Sequence, residues 1–344
     1  LGFRGWFYFR TGWATYFAFI VAAINALTVT FFLAIENSTP QRSALYGFIA
    51  GMGFYNWGLI WINNTLINYG NLHWILSFAV LGLLSAYLSF FVALFCYFVR
   101  RTCGDNRICF FLFAPVLWVS FEYLRSTHSE YGFSWLGLGY SQFQNLPVIQ
   151  AAEWTGVYGI SWLIILVNSG LYLSWKCWRE QNQKDLELKT GWRILSVTLL
   201  VFSLWQVYGT IIWKQTLSST VSKRHIKIGL VQGNVEQFMK WNPAYQNQVI
   251  NKYKELTLKA AKENPALIIW PETATPYYFE ESQTETEMLR NLAREIKIPI
   301  LFGSPHRKKI NNELVYFNSA YLLSETGETL SRYDKMHLVP FGEF

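Results

Sequence analysis

Long apolar runs fill the first two thirds of the chain, and short alternating ones fill the last third. Six apolar runs lie at about 14–35, 43–62, 72–99, 108–124, 154–175 and 192–213. Each is close to the ~20 residues a helix needs to cross the hydrocarbon core of a bilayer. They predict a six-helix membrane bundle, with Pro115 tolerated where neighbouring helices satisfy the freed backbone. Beyond residue 218 the periods shorten. His225–Gly233, Ala266–Trp270 and Ile298–Gly303 read as strands. Glu313–Ser324 and Glu328–Tyr333 read as two more, joined in a hairpin through Glu325-Thr326-Gly327. Pro243–Lys262 has helical spacing, with Tyr245, Val249, Tyr253, Leu256 and Ala260 on one face. Glu281–Ile296 is a helix with Glu early and Arg late, which suits its dipole. Alternating strands and helices predict an α/β domain around a central sheet.

Charge sharpens that division. Residues 1–221 hold 13 Lys/Arg and 8 Asp/Glu, and residues 222–344 hold 16 and 14. The density changes near Ser218–Lys223, predicting a transmembrane domain over 1–217 and an extramembrane domain over 218–344. The net charge of +7 lies mostly beside the spans. There it reads as a topology signal, which leaves a nucleic-acid partner without support. The four cysteines, Cys96, Cys103, Cys109 and Cys177, lie in or beside spans without metal-ligand company. They indicate no disulfide or zinc framework.

Basic residues fall in alternate loops: Arg42, then Arg100, Arg101 and Arg107, then Lys176, Arg179, Lys184, Lys189 and Arg193. These loops share the cytoplasmic side, so the 63–71 and 126–153 loops and everything after residue 213 lie outside. Trp57, Trp61, Trp74, Trp154, Tyr158, Trp175 and Trp178 mark span ends as an interfacial belt. The outer loop Tyr131–Tyr140 is aromatic and glycine-rich and is expected to pack on the spans or rest on lipid. Glu122 and Arg125 beside it read as an ion pair. Arg4 and Arg10 on the outer side, Leu1 at the start and Phe344 directly after an ordered-looking motif suggest a chain cut at both ends.

The stretch Leu267-Ile268-Ile269-Trp270-Pro271-Glu272 carries the clearest candidate chemistry. An apolar strand ended by a proline delivers a carboxylate to a poorly solvated edge, where it can serve as a general base. An ordinary strand-end Glu facing water fits this stretch alone equally well. Lys335, followed by Pro340, Gly342 and Glu343, can bring an ammonium beside a carboxylate to stabilise an oxyanion, or can be a surface lysine. His337 is a less convincing base, and Trp241 covers an acyl chain or staples a helix.

Together these segments form a recognisable set. After multiple spans come Val-Gln-Gly-Asn (231–234), Lys-Trp-Asn-Pro (240–243), Ile-Trp-Pro-Glu-Thr-Ala (269–274), Phe-Asn-Ser-Ala (317–320) and Tyr-Asp-Lys-Met-His-Leu-Val-Pro-Phe-Gly-Glu-Phe (333–344). The chain resembles the bacterial apolipoprotein N-acyltransferases along nearly its whole length. The outer loop Gly132–Gln142 resembles theirs as well.

The resemblance implies a transmembrane helical bundle carrying a nitrilase-like α-β-β-α sandwich, here incomplete. It implies transfer of an acyl chain from a phospholipid, through a cysteine thioester, to the α-amino group of the diacylglyceryl-cysteine of a lipoprotein. By the same resemblance Glu272 is the general base, Lys335 supports the oxyanion, Glu343 holds Lys335 and Trp241 handles substrate. The partners implied are a phospholipid donor, a lipoprotein acceptor and the inner membrane, with the catalytic domain periplasmic, a monomeric protein and no cofactor. None of the four cysteines sits in a motif matching the family's nucleophile. Since acyl transfer of this kind needs a nucleophile, the 344-residue chain is expected to be inactive. A membrane-tethered amidase or nitrilase and a non-catalytic remnant are the competing readings.

Overall fold

The computed structural model describes residues 32, 38–128, 132–180, 185–221, 225–240 and 242–338. The chain forms two compact units, Leu1–Ser222 and Lys223–Phe344.

In the first unit the described helices are α1 (Pro40–Gly58), α2 (Trp61–Asn68), α3 (Trp74–Cys103), α4 (Arg107–Thr127), α5 (Leu146–Ile149), α6 (Ala152–Arg179) and α7 (Asp185–Val221). Four helices are long and apolar enough to cross a membrane: Trp74–Cys103, Arg107–Thr127, Ala152–Arg179 and Leu188–Ser218. They match four of the six expected spans. The run 43–62 is not one continuous span. Its helix stops at Gly58, Leu59-Ile60 interrupts, and α2 follows. Arg42, Asn56 and repeated glycines dilute its apolar character. One of them, Gly51, lets α1 approach α3 closely, since an added Cβ would stand 2.9 Å from that of Ser89. The run 14–35 lies outside the described residues apart from Phe32. That ring is buried and meets Phe110 edge-on at 5.2 Å.

Two expectations about this unit need correction. The first concerns the cysteines, because Cys103 and Cys109 form a disulfide with Cα atoms 5.2 Å apart. Gly104, at φ +51°, and the cap on Asn106 turn the chain between α3 and α4 within three residues, which brings the two thiols together. The second concerns Glu122 and Arg125, which grip the outer loop and not each other. Glu122 Oε1 accepts from the Leu138 backbone N–H at 2.6 Å, and Arg125 donates to the Trp135 carbonyl at 2.9 Å. Loop backbone offers these buried groups partners that a mutual pair would have left unsatisfied. The loop therefore packs on the spans, its 3-10 turn (Leu138–Gln142) burying Leu138 and Gly139. At the opposite end, Arg100 donates to Ser38 O at 2.8 Å while Arg107 and Lys176 both pair with Glu180. The basic loops thus share one end of the bundle.

The second unit is a five-stranded mixed sheet in the order β1 (Ile228–Leu230), β2 (Leu267–Ile269), β3 (Ile300–Ile310), β4 (Glu313–Leu323), β5 (Thr329–Asp334). Strands β1 to β3 run parallel, and β3 to β5 run antiparallel. Helices α8 (Gln237–Lys240), α9 (Gln246–Ala261) and α10 (Gln283–Ile296) complete it. Val249 and Tyr253 of α9 and Leu289 and Leu292 of α10 share one core with Ile268, Trp270, Ile300, Phe302, Tyr321 and Leu323. On the far side of the sheet Ile228 and Leu230 are exposed.

The lengths of β1 and β3 depart most from expectation. β1 keeps three paired residues of the nine expected. β3 runs on from Gly303 to Ile310, because Asn311 (φ 49°) and Asn312 (φ 70°) close a two-residue turn to β4. Positive φ at both positions is the condition for such a hairpin. The polar run after Gly303 hides the strand, although its alternate residues Ser304 and His306 are buried.

Candidate active site

Strand β2 ends where Pro271 removes a donor, yet the chain stays tied to β3. The Trp270 N–H donates to Leu301 O at 2.8 Å, and the Gly303 N–H donates to Pro271 O at 3.2 Å. Between these bonds and the next one, Ala274 N–H to Gly303 O at 2.8 Å, the chain bulges out as Glu272-Thr273. Thr273 sits at φ +48°. A β-branched residue in that region is strained and persists only where the surroundings enforce it. Gly303 makes the bulge possible, since a Cβ there would lie 2.7 Å from the Glu272 Cα. Trp270 anchors the strand end below, donating its indole N–H to buried Thr257 at 2.8 Å and stacking on Tyr253.

Three side chains meet above the bulge. Lys335 follows β5, and its Nζ reaches Oε1 of Glu272 at 3.0 Å. Asn318 of β4 donates its Nδ2 to the same Oε1 at 2.7 Å. Thr273 Oγ1 donates to Asn318 Oδ1 at 3.3 Å, which orients the amide so that its NH2 faces the carboxylate. The backbone closes the cluster, because the Lys335 N–H donates to Asn318 O at 2.9 Å. One residue earlier, Asp334 accepts from Ser319 Oγ at 2.6 Å and fixes the end of β5. Among the described residues, Glu272 Oε2 receives no hydrogen bond and is the oxygen left to take a proton.

The poorly solvated setting expected for Glu272 is not found. Its side chain is 62% exposed, and what distinguishes it is a cation and an amide fixed on one oxygen. Lys335 sits beside it. Glu343 and Trp241 lie outside the described residues. His337 is exposed.

Sequence reasoning about the site passed over three residues. Asn318 belongs to Phe-Asn-Ser-Ala, where strand alternation turns it away from buried Ser319. Thr273 directly follows the candidate base. Lys240, at the end of α8, brings Nζ to 3.5 Å from the Glu272 carbonyl oxygen. Burial pushes its ammonium below the ordinary lysine range, against the opposing field of Glu272. Among the described residues, no group of three or more His, Cys, Asp or Glu could hold a metal ion.

Residues 5–170 match the family model described as "Apolipoprotein N-acyltransferase N-terminal domain", and residues 227–344 match "Carbon-nitrogen hydrolase". The apolipoprotein N-acyltransferase of Geobacter metallireducens is 37% identical over 91% of this chain and 58% of its own length. That of Nitrosomonas europaea is 32% identical over 97% of this chain and 62% of its own. The chain therefore spans about three fifths of the length of these relatives. Among solved structures, an amidase from Nesterenkonia sp. is 21% identical over 35% of this chain and 46% of its own, at TM-score 0.28. The two family models follow one another along the two units. Along both units the chain is similar to the apolipoprotein N-acyltransferases.

Proposed function

We propose that the protein transfers an acyl chain from a membrane phospholipid to the α-amino group of the diacylglyceryl-cysteine of a lipoprotein, through a cysteine thioester. The observation that carries this reading is Glu272 held by Lys335 at 3.0 Å and by Asn318 at 2.7 Å. Glu272 removes the thiol proton, using its unbonded Oε2. The thiolate attacks the ester carbonyl of the phospholipid, and the carbonyl oxygen gains charge beside the Lys335 ammonium. Collapse expels the lysophospholipid, with Glu272 returning the proton to the leaving oxygen. The lipoprotein amine then attacks the thioester through a second oxyanion, and the thiol is restored as the amide forms.

Glu343 supports Lys335 in this scheme, and Trp241 contacts substrate. Residues 223–344 contain no cysteine. Residues 1–217 form the membrane domain and 218–344 the nitrilase-like domain. The protein acts as a monomer in the bacterial inner membrane, with the second unit on the periplasmic side. The clustering of Arg100, Arg107 and Lys176 at one end of the bundle supports that orientation. Both substrates are anchored in lipid, so a site beside the bilayer confines their search to a surface.

The test uses protein purified from its own membranes. It is given a phospholipid with a labelled acyl chain and a diacylglyceryl-cysteine peptide. Labelled amide on the peptide is the expected product. Hydrolysis of small amides with no transfer from lipid would replace this reading with a membrane-tethered amidase.

A further inference from the structure

Glu272 is bracketed by two lysines that do different things. Lys335 is paired with its carboxylate at 3.0 Å. Lys240 stands 3.5 Å from its carbonyl oxygen and forms no ion pair among the described residues. A half-buried ammonium has given up part of its water, and a lone carbonyl at that distance returns little of the loss. Burial accordingly holds its proton affinity down, even in the field of a nearby carboxylate. A surface lysine covering apolar residues with its stem would keep its charged head in water. A half-buried cation with no ion pair among the described residues, beside a candidate catalytic carboxylate, is instead placed to receive an anion.

We propose that Lys240 binds the phosphodiester of the acyl-donor phospholipid and thereby orients its ester carbonyl over Glu272. This rests on the donor assignment made above and adds the group that recognises the donor. The phosphodiester is the one fixed negative charge on a zwitterionic phospholipid, and it lies a few bonds from the ester that reacts. A lysine suits it as a compact point charge that can follow the phosphate, whereas a bidentate fork would fix one geometry. Two cations with separate tasks also avoid a conflict. If Lys335 took the phosphate, it would have to leave the carboxylate it supports.

The experiment measures binding of two probes to the purified protein in detergent micelles. These are phosphatidylethanolamine with a fluorescent acyl chain, and diacylglycerol with the same chain and no phosphate. The wild type is expected to prefer the phospholipid by about tenfold, the scale of one partly desolvated charge contact. Lys240→Gln is expected to abolish that preference and leave diacylglycerol binding unchanged, while Lys240→Arg retains most of it. Glycerophosphoethanolamine should displace the fluorescent lipid from the wild type. Displacement by inorganic phosphate alone would assign Lys240 to a free anion and overturn the donor assignment for this residue. An intact preference in Lys240→Gln, or equal weakening of both probes, would also overturn it, with the phospholipid reading left standing. A wild type that binds neither probe would remove that reading and this inference together.

Discussion

Lys335 Nζ stands 3.0 Å from Oε1 of Glu272, across 63 residues of chain. The pair is too exposed to matter much for folding, with side-chain exposures of 30% and 62%. Ion pairs in such settings contribute about 0–1 kcal/mol. The chain nevertheless accepts a left-handed threonine and a glycine-only contact to hold this carboxylate in place. That combination of strain and small energetic return points to chemistry.

Asn318 makes the first prediction. Its amide donates to Glu272 Oε1 at 2.7 Å and is oriented by Thr273. Asn318→Ala should lower acyl transfer about tenfold, the usual scale for one lost positioning hydrogen bond. Asn318→Asp should cost more, because it puts an acceptor where Oε1 needs a donor and competes for Lys335. Steady-state rates with labelled phospholipid check both variants, and thermal unfolding confirms that they fold.

Gly303 makes the second. A methyl group there meets the Glu272 Cα at 2.7 Å, and backbone cannot rotate away as a side chain does. Gly303→Ala should therefore displace the Glu272-Thr273 bulge. Displacement of a reacting group by about 1 Å can cost 100-fold in rate. The same substitution at Gly53, which has open space around it, should leave the rate unchanged.

A third prediction concerns the membrane unit. Buried Glu122 accepts from Leu138 N–H at 2.6 Å, and its second oxygen has no partner among the described residues. Glu122→Ala would strand a buried donor at a cost of about 1–3 kcal/mol. It should lower the unfolding temperature in detergent and open the 132–150 loop to protease. Glu122→Gln keeps the accepting oxygen and should behave like the wild type in both measurements.

The sequence carried more of this protein than the individual residue readings suggest. Period alone separated the helical unit from the α/β unit, because a helix that crosses lipid needs a run no soluble strand has. Hydrogen-bonding detail was less legible. Glu122 and Arg125 look like an ion pair when only their spacing is known, and the loop backbone that captures them is invisible at that level. Cys103 and Cys109 looked unrelated because their approach depends on the left-handed Gly104. At the site, the motifs single out Glu272 and Lys335, and the fold brings their side chains together, but in a more exposed setting than the strand-end pattern implies. Exposure and two fixed donors characterise it, and those depend on strand pairing between β3, β4 and β5. Asn318 and Lys240 escaped notice because neither residue type signals chemistry without its neighbours in space.

The most direct measurement compares wild type with Glu272→Gln in protein purified from its own membranes, using labelled phospholipid and a diacylglyceryl-cysteine peptide. The variant keeps the size and one oxygen of the side chain but cannot take the thiol proton. Transfer should fall by at least about 100-fold, the usual contribution of a general base. The unfolding temperature should stay within about 3 °C, since an exposed pair stabilises little. Transfer within about threefold of wild type in a folded Glu272→Gln protein would contradict the central role of this carboxylate.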